Sequence, residues 1–541
     1  MRLINVNDVK TQNIVIKMHN TFIMKKSRLL SLLLVFCMLL LATGCHKEPI
    51  APQQERNSIV ILFENDVHCA IDGYAKIAGL RDAIADTAWA ALVSSGDFIQ
   101  GAITGTLSRG QYIIDIMRTM HYDAVGLGNH EFDYKVPRQQ ELFSDFNAPV
   151  VCSNFFDMSG HRMYDAYTLR TYGDRRVAYV GVLTPETEIK SERYAFYDES
   201  GQQLYTLRQN EYPELVQQAV DAARADGADY VVVLSHLGEA YLGNPWNSND
   251  LIAATHGIDV VLDSHSHSVI DTVLTNSQGQ PVLVANTGTQ FANVGQLYIG
   301  ADGRMDITLI PTEQIAQLSL DVNTVVEQVQ EQVDMQTNHI VAYSEVPILV
   351  TDGNGNRMVR KAETNAGDLT ADAMRWQMGA DIGMVNGGGI RIDLPAGDIP
   401  YRDIISLLPY DNMLWKIEAT GAQILEALRS GVSNLPAESG DFPQVSGLRF
   451  TVTVADHSVS NVEVLQSNGS YAPLDPVAIY TVSTIGYCVT GGGFSGVLAN
   501  CTLLEQSTNL YCDALVEYIT HALGGTIGQQ YAASQGRIII Q

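Results

Sequence analysis

Side chains that bind divalent cations recur at the ends of apolar, strand-like runs in the first half of the chain. The five clusters are Asn65-Asp66-Val67-His68 after SIVILFE, Gly96-Asp97 after AALVSS, Gly128-Asn129-His130-Glu131-Phe132-Asp133 after AVGL, Ser235-His236 after YVVVL and His265-Ser266-His267 after IDVVLD. Carboxylate, imidazole and amide groups suit such ions, and open α/β sheets bring ligands together at the carboxyl ends of their strands. The pattern therefore predicts a two-metal hydrolase site, with ions about 3.5–4 Å apart that share one carboxylate.

The number of clusters carries this prediction, since a single Asp-x-His or a lone histidine after a strand is usually structural. Five of the 13 histidines lie inside the clusters. Cys69 lies one residue past His68, and we expect its thiol to be buried rather than to bind a metal. Phosphate esters suit such a site because two dications lower the pKa of a water and neutralise phosphate oxygens. A neighbouring histidine can add a proton or a positive charge.

The residues and the order of the clusters resemble those of the calcineurin-like metallophosphoesterases, and more closely those of the 5′-nucleotidase family, from about Ile59 to the C-terminus. The resemblance implies that one ion is held by Asp66, His68, Asp97 and His267. It implies that the other is held by Asp97, Asn129, His236 and His265, so that Asp97 bridges the two. His130 and Asp133 match the family's catalytic pair, in which the histidine steadies charge on the transferred phosphoryl group and the aspartate orients the histidine. The ligand types favour Zn, Mn or Co as the two divalent ions.

By this resemblance, we expect the chain to hydrolyse nucleoside 5′-monophosphates to nucleoside and phosphate with a water activated by the two metals. Hydrolysis of UDP-sugars or 2′,3′-cyclic nucleotides is the nearest alternative within the family. A non-catalytic, ligand-binding lipoprotein is the alternative from a different class, and the intact His130, Asp133 and ligand set argue against it. The expected partner is a small-molecule phosphate ester, and the sequence leaves the oligomeric state open.

A second group of candidate residues lies in the C-terminal half. Arginine offers a bidentate clamp for phosphate, and glycine lets the backbone approach a ligand closely. The family resemblance implies substrate-binding roles for Arg357, Arg360, Asn386, Gly388, Arg391, Tyr410 and Tyr487, of which the two tyrosines would sandwich a base. Where the family has an aspartate that holds the ribose hydroxyls, this chain has Gly493. We therefore expect weak discrimination between ribose and deoxyribose.

The elements that must position these residues alternate between apolar, strand-like runs and amphipathic segments such as Tyr212–Ala225. This alternation, from Ser58 to about Pro311, predicts layered α/β packing, and short β runs at 176–182, 282–285 and 295–299 add antiparallel character. The resemblance implies a four-layer αββα metallophosphoesterase sandwich followed by a second α/β substrate-binding domain. We expect these domains at residues 58–318 and 343–541. Residues 319–342 would join them through a helix at about 324–340, a polar stretch without Gly or Pro.

The N-terminal residues predict export and lipid anchoring. Residues 24–28 are basic, residues 29–42 form an apolar run too short for a comfortable membrane span, and residues 41–45 (LATGC) match a bacterial lipobox. We expect a signal peptide at residues 1–44, with Met24 as an alternative start, lipidation of Cys45 and a short linker at 45–57. The protein would then be anchored in the bacterial cell envelope, on its periplasmic or cell-surface side, without spanning the membrane.

The composition limits the classes of partner to be expected and the ways the cysteines could pair. Acidic residues outnumber basic ones by 60 to 33, and by 59 to 27 after residues 1–44 are removed. So acidic a chain argues against a basic nucleic-acid-binding surface. Of the seven cysteines, Cys488, Cys501 and Cys512 lie close together and could include one disulfide, although the pairing cannot be deduced from sequence.

Overall fold

The computed structural model describes residues 57–188, 195–198, 201–240, 244–410, 412–490 and 492–541, with residues 508 and 509 described in the backbone only. The predicted signal peptide, Cys45 and nearly all of the predicted linker lie outside these residues. Within the described ranges, no helix combines the length and the apolar character that crossing a membrane requires.

The first half of the described chain alternates strands and helices as the apolar runs predict. Its strands are β1 (Ile59–Glu64), β2 (Trp89–Ser94), β3 (Ala124–Gly126), β4 (Val150–Val151), β5 (Phe156–Asp157), β6 (Tyr167–Tyr172), β7 (Arg175–Leu183), β8 (Tyr205–Thr206), β9 (Tyr230–His236), β10 (Val260–Leu262), β11 (Val269–Thr275), β12 (Pro281–Thr287), β13 (Asn293–Ile299) and β14 (Met305–Pro311). Its helices are α1 (Tyr74–Ala85), α2 (Ile103–Ser108), α3 (Gln111–Arg118), α4 (Lys135–Ser144), α5 (Tyr212–Ala225), α6 (Ser248–Ala254) and α7 (Leu320–Thr337).

Two mixed six-stranded sheets carry the candidate site. The first has the order β14-β13-β1-β2-β3-β4, in which β1 to β4 are parallel and β13 pairs antiparallel with both β1 and β14. The second has the order β11-β12-β10-β9-β7-β6, with β7, β9, β10 and β12 parallel and an antiparallel strand at each edge. The parallel strands are buried on both faces, which explains their continuous apolar runs.

The sheets pack face to face between two layers of helices. Phe63 and Val93 of the first sheet share one core with Leu234 and Leu262 of the second. The outer face of the first sheet packs on α1, α3 and α7, and that of the second packs on α5 and α6. The predicted four-layer αββα architecture is confirmed.

The helix predicted at residues 324–340 is present with different ends, as α7 at Leu320–Thr337. Val322, Val326, Val329 and Val333 form its buried stripe, at the spacing of one helical face, and pack against the helical layer of the first sheet. Ile340 was assigned to the helix because the segment lacks Gly and Pro. It instead begins the next strand, because pairing with a distant strand overrides local preference there.

The second half is also α/β. Its strands are β15 (Ile340–Ser344), β16 (Ile382–Asn386), β17 (Gly397–Pro400), β18 (Met413–Thr420), β19 (Pro443–Ser446), β20 (Leu448–Thr453), β21 (Ser458–Leu465), β22 (Tyr471–Pro473), β23 (Ile479–Ile485), β24 (Thr502–Leu510), β25 (Thr526–Ile527) and β26 (Ile538–Ile540). Its helices are α8 (Asn365–Met378), α9 (Tyr401–Leu407), α10 (Gly421–Val432), α11 (Gly486–Val489) and α12 (Tyr511–Glu517). A five-stranded sheet, β19-β16-β23-β18-β24, lies in a core of its own.

The short helix α2 links the two halves. Its residues Ile103 and Leu107 pack against the cores of both. Thr106 Oγ1 donates a hydrogen bond of 3.1 Å to the backbone oxygen of Pro409. Because α2 begins three residues after Gln100, this contact joins the second half to a segment that borders the candidate metal ligands.

All five cysteines of the described residues are free thiols, so the disulfide considered for Cys488, Cys501 and Cys512 does not form. Cys488 and Cys512 are buried in the second core, and Cys501 is half-buried beside it. The thiol of Cys69 is buried as expected and donates to the backbone oxygen of Phe98. Burial raises the pKa of Cys69 to about 12, so this thiol stays neutral rather than serving as a thiolate ligand.

Candidate metal and substrate site

The ends of parallel strands bring the predicted ligands together. Asp66 and Asp97 follow the neighbouring strands β1 and β2, whereas His236 and His265 come from β9 and the loop after β10 in the facing sheet. Three groups of side chains have their ligand atoms within 4.8 Å of one another: Asp66, His68 and His267; His68, Asp97 and His130; and Asp66, Asp97 and His236. Together they hold five of the seven predicted ligands.

The two aspartates form the middle of this cluster. Asp97 Oδ2 lies 3.1 Å from His236 Nε2 and 3.8 Å from His68 Nε2. Asp66 Oδ1 lies 3.6 Å from His267 Nε2 and 3.9 Å from His236 Nε2. Carboxylate oxygens and imidazole nitrogens thus face a common space from two sheets.

Backbone carbonyl groups decide which nitrogen of two histidines faces that space. His68 Nδ1 lies 3.0 Å from the oxygen of Gln100, and His236 Nδ1 lies 2.9 Å from that of Ser95. Both Nδ1 atoms therefore carry a proton, which turns the Nε2 atoms of both rings toward the aspartates. Fixing the tautomer through the far nitrogen is the usual way to orient an imidazole ligand.

The donor set fits divalent cations. Asn129 Oδ1 is buried without a hydrogen-bond partner among the described residues, and a buried amide oxygen in that state is costly unless something else binds it. His236 Nε2 faces Asp97 Oδ2 outside hydrogen-bond geometry. Oxygen and imidazole donors without thiolate are the ligands expected for Zn, Mn or Co.

Burial disfavours the charged forms of the side chains in this cluster unless cations are bound. It raises the pKa of Asp66 to about 7 and lowers that of His68 to about 4. Burial also opposes ionisation of Asp97, but the positive charges of His236 and His130 outweigh it and hold the pKa of Asp97 well below its usual range. Ions of charge two would favour the ionised carboxylates and the neutral imidazoles that ligation requires.

Glu131 holds the two central loops in place, a role that its position within the third cluster did not reveal. Its side chain is fully buried. Oε2 accepts from the backbone N–H groups of Asp97 (2.8 Å) and Gly128 (2.6 Å), and Oε1 accepts from Phe98 (2.9 Å) and Ile99 (3.3 Å). One carboxylate therefore fixes the loop after β2 against the loop after β3.

Gly128 shows how closely these loops approach. A Cβ atom at this position would lie 2.1 Å from Asp97 Oδ1 and 2.6 Å from His236 Cε1. Any side chain would displace both residues, so the site requires glycine here. The glycine of the Gly-Asn-His sequence is therefore required by packing, in addition to the chemical roles predicted for Asn129 and His130.

The backbone of the ligand positions is unusual. Five predicted ligands have φ between 47° and 70°: Asp66, His68, Asp97, His265 and His267. Non-glycine residues rarely adopt this left-handed region, and such conformations gather at functional sites. The strand ends therefore turn sharply where the ligands project.

His130 and Asp133 form the predicted pair. His130 Nδ1 lies 3.1 Å from both carboxylate oxygens of Asp133, and the ring of His130 stands edge-on to that of His68, with centroids 5.1 Å apart. The backbone N–H of His130 donates to Asp97 Oδ1 at 2.8 Å. With Nδ1 held by Asp133, Nε2 lies on the far side of the ring.

His265 differs from the other predicted histidine ligands. It belongs to none of the three groups, although its backbone N–H donates to both Asp66 oxygens and its ring lies 5.2 Å from that of His236. Its Nε2 lies 3.3 Å from Oε2 of Glu186. Glu186 lies outside the predicted ligand set, although Thr184-Pro185-Glu186 follows the apolar run of β7 as the five clusters follow theirs.

Three predicted arginines gather in the second half. Burial lowers the pKa of Arg360, and the nearby guanidinium groups of Arg357 and Arg391 lower it further. Arg357 is ion-paired with Glu438 at 2.9 Å, and Arg391 donates to the oxygen of Gly388 at 3.3 Å. Mutually repelling guanidinium groups at one place favour an anionic ligand.

Asn386, Tyr410 and Tyr487 are the other residues predicted to contact the substrate. The amide of Asn386 donates to the oxygen of Gly440 and accepts from the Cys488 thiol, so in this structure it supports the glycine turn after β16. Tyr410 lies close enough to Arg360 to oppose the lowering of its pKa, and it packs half-buried against the second core. Tyr487 is exposed.

Gly493 and Gly492 lie against Tyr487. A Cβ atom at Gly492 would meet the ring of Tyr487 at 2.2 Å. A Cβ at Gly493 would lie 2.9 Å from Cys488 Sγ. The φ of Gly493 is −115°, which any residue can adopt, so crowding rather than backbone conformation limits a side chain there.

Two family descriptions match the chain in succession. Residues 59–269 match the calcineurin-like phosphoesterases, and residues 340–499 match the C-terminal domain of 5′-nucleotidases. The matched ranges contain every residue named above for metal, catalytic and substrate roles.

Individual relatives agree with these matches. The chain is 24% identical to the trifunctional nucleotide phosphoesterase YfkN of Bacillus subtilis over 83% of its own length and about a third (33%) of that protein. It is 25% identical to a 5′-nucleotidase of Vibrio cholerae over 72% of this chain and 75% of that one. The crystal structure of a 5′-nucleotidase precursor from Thermus thermophilus, 26% identical, covers 89% of this chain and 99% of that one with a TM-score of 0.66.

Proposed function

The chain belongs to the 5′-nucleotidase family of calcineurin-like phosphoesterases and is a phosphoric ester hydrolase, and within that class we propose that it removes phosphate from nucleoside 5′-monophosphates with the help of two divalent ions. One observation above all supports the choice of substrate. The same chain that holds the Asp–His cluster gathers Arg357, Arg360 and Arg391 beside Tyr410. An anionic group with an attached aromatic ring fits that combination.

The residues of the chain divide the chemistry between them. Asp66, Asp97 and their histidines would hold the ions, which lower the pKa of an attacking water and offset phosphate charge when bound. His130 presents Nε2 to the phosphoryl group as a proton donor or a positive charge. Asp133, at 3.1 Å from Nδ1, keeps that ring oriented.

Recognition of the leaving group is assigned to the second half. Arginine clamps phosphate oxygens in a planar, two-point geometry. The rings of Tyr410 and Tyr487 offer faces on which any base can stack. With Gly493 in place of a carboxylate, a ribose hydroxyl gains no partner at that position, so the sugar contributes little to selection.

The test is a phosphate-release assay over AMP, UMP, UDP-glucose, 2′,3′-cyclic AMP and glucose 6-phosphate. The protein is stripped with a chelator and reconstituted with Zn, Mn or Co. We expect no hydrolysis without metal and the highest kcat/KM for the 5′-monophosphates. Activity that persists in protein shown by elemental analysis to hold no metal would refute the metal requirement.

Arg360→Ala tests the substrate site separately. We expect KM for AMP to rise about tenfold or more, since a charge-assisted hydrogen bond contributes roughly 1.5–3 kcal/mol, whereas glucose 6-phosphate, which has no base to place its phosphate there, should respond less. Arg402→Ala is the matched control, because Arg402 is 45% exposed and pairs with Asp334 away from the cluster. Equal kcat/KM for AMP in both variants and the wild type would refute the assignment of the arginines.

A further inference from the structure

A carboxylate that lies outside the predicted ligand set approaches one of the candidate metal ligands. Glu186 Oε2 lies 3.3 Å from His265 Nε2, and the two side chains are 21% and 14% exposed. We propose that Glu186 is a positioning residue that accepts a hydrogen bond from the Nε2–H of His265, so that His265 binds its metal through Nδ1. The inference rests on the proposed function insofar as it requires a metal beside His265.

The segment that carries Glu186 is fixed at both ends. The backbone N–H of Thr184 donates to the oxygen of His236 at 3.1 Å, which extends the pairing of β7 with β9. Glu188 accepts from the N–H of Leu207 at 2.6 Å and from the hydroxyl of Thr206 at 3.2 Å. Glu186 is therefore presented to His265 by a strand end that is itself tied to another ligand position.

Imidazole chemistry then assigns the ligand atom. A neutral imidazole has one N–H and one lone pair. A carboxylate at hydrogen-bond distance accepts from the N–H, which places the lone pair on the other nitrogen. For His265 this nitrogen is Nδ1, whereas the carbonyls of Gln100 and Ser95 leave Nε2 to His68 and His236.

The two metal positions differ in the groups that their histidine ligands donate hydrogen bonds to. The imidazoles of His68 and His236 donate to neutral carbonyl groups, and that of His265 donates to a charged carboxylate. A charged acceptor makes the ligand more basic and holds its ring more firmly. Glu186 also brings one further negative charge to the side of the cluster where His265 lies.

The first experiment measures metal binding rather than turnover. Wild type, Glu186→Ala, Glu186→Gln and Glu239→Ala are loaded with Zn and titrated with a chelator of known affinity. We expect Glu186→Ala to weaken one of two bound ions by roughly 10–100-fold and to leave the other unchanged. Glu186→Gln should retain much of that affinity, because its amide oxygen can still accept the Nε2–H.

Glu239→Ala is the matched control for charge. Glu239 accepts from the hydroxyl of Ser268, next to the His265–His267 loop, and within the described ranges no hydrogen bond joins its side chain to an imidazole. Its removal takes away one negative charge near the same loop, and we expect both ions to bind as in the wild type. Equal weakening by Glu239→Ala and Glu186→Ala would show that only local charge matters and would overturn the inference.

The second experiment reads the tautomer directly in the wild-type protein. Nitrogen-15 NMR of the histidine-labelled wild-type protein, with His265→Gln for assignment, reports which ring nitrogen carries hydrogen. A proton on Nε2 of His265 supports the inference, and a proton on Nδ1 overturns it. If the wild type binds a single ion, the two-metal proposal fails, and the tautomer still decides the role of Glu186.

Discussion

Glu131→Gln tests whether one buried carboxylate assembles the centre of the site. The four N–H groups of Asp97, Phe98, Ile99 and Gly128 converge on its two oxygens, two on each. Glutamine keeps one oxygen and turns the other into an NH₂ group, which faces two donors. Those two donors then lose their acceptor inside the protein.

The magnitude follows from that count. A hydrogen bond to a charged group contributes roughly 1.5–3 kcal/mol, so two lost bonds lower the free energy of unfolding by about 3–6 kcal/mol. This is a large part of the roughly 5–15 kcal/mol that stabilises a typical protein. The same change loosens Asp97 and the turn before Asn129, so metal affinity should fall as well.

Urea unfolding at pH 8, followed by circular dichroism with and without metal, measures the effect. Burial raises the pKa of Glu131 to about 7, so its carboxylate is ionised at this pH. Glu141→Gln is the control, because Glu141 is 69% exposed and forms a surface ion pair with Arg138, which predicts a loss below about 1 kcal/mol. If the urea midpoint of Glu131→Gln equals that of Glu141→Gln and the variant keeps its metals, the carboxylate of Glu131 does not organise the loops.

Four further outcomes are expected. His130→Ala should lower kcat by roughly 10²–10⁴-fold while elemental analysis still finds both ions; turnover at the wild-type rate would remove His130 from the chemistry. Burial raises the pKa of Asp368 from 3.8 to about 8, so between those pH values the folded state holds a proton that the unfolded state has lost, and stability falls as the pH rises from about 4 to 8. Asp368→Asn should reduce the change in the urea unfolding midpoint over this range, and an unchanged pH dependence would contradict the shift. The wild type should hydrolyse AMP and dAMP with similar kcat/KM and Gly493→Asp should favour AMP, whereas a hundredfold preference for AMP in the wild type would show that another residue binds the ribose. If Cys45 carries the predicted lipid anchor, Cys45→Ala should shift the protein from the membrane to the soluble fraction or block its processing, and mass spectrometry that finds an unmodified mature N-terminus would exclude lipidation.

The positions of the metal-binding residues could be anticipated because chemistry and topology coincide at strand ends. Asp66, Asp97 and His236 each follow or end a parallel strand, and parallel strands of facing sheets direct their carboxyl ends to one crevice. The apolar runs were sufficient to recognise those strands. The layered α/β architecture followed from the same runs and from the family resemblance.

What could not be anticipated depends on distant partners. Glu131 lies within a recognised cluster, but its four donors come from two loops that meet only in the folded chain. The ends of α7 were misplaced because Ile340 belongs to a strand whose partner lies some 60 residues further along the chain. Glu186 was passed over because a glutamate after a strand reads as an ordinary surface residue until His265 is placed beside it.

The left-handed backbone at the ligand positions bears on how such a site is dissected. An L-residue in this conformation costs roughly 1–2 kcal/mol relative to a right-handed one, and glycine escapes most of that cost. Alanine in place of Asp66 or His267 would remove the ligand and retain the strained turn, whereas glycine would remove both. The difference in stability between the alanine and glycine variants therefore measures the cost of the turn. The difference between the wild type and the alanine variant measures what the side chain contributes by holding a metal.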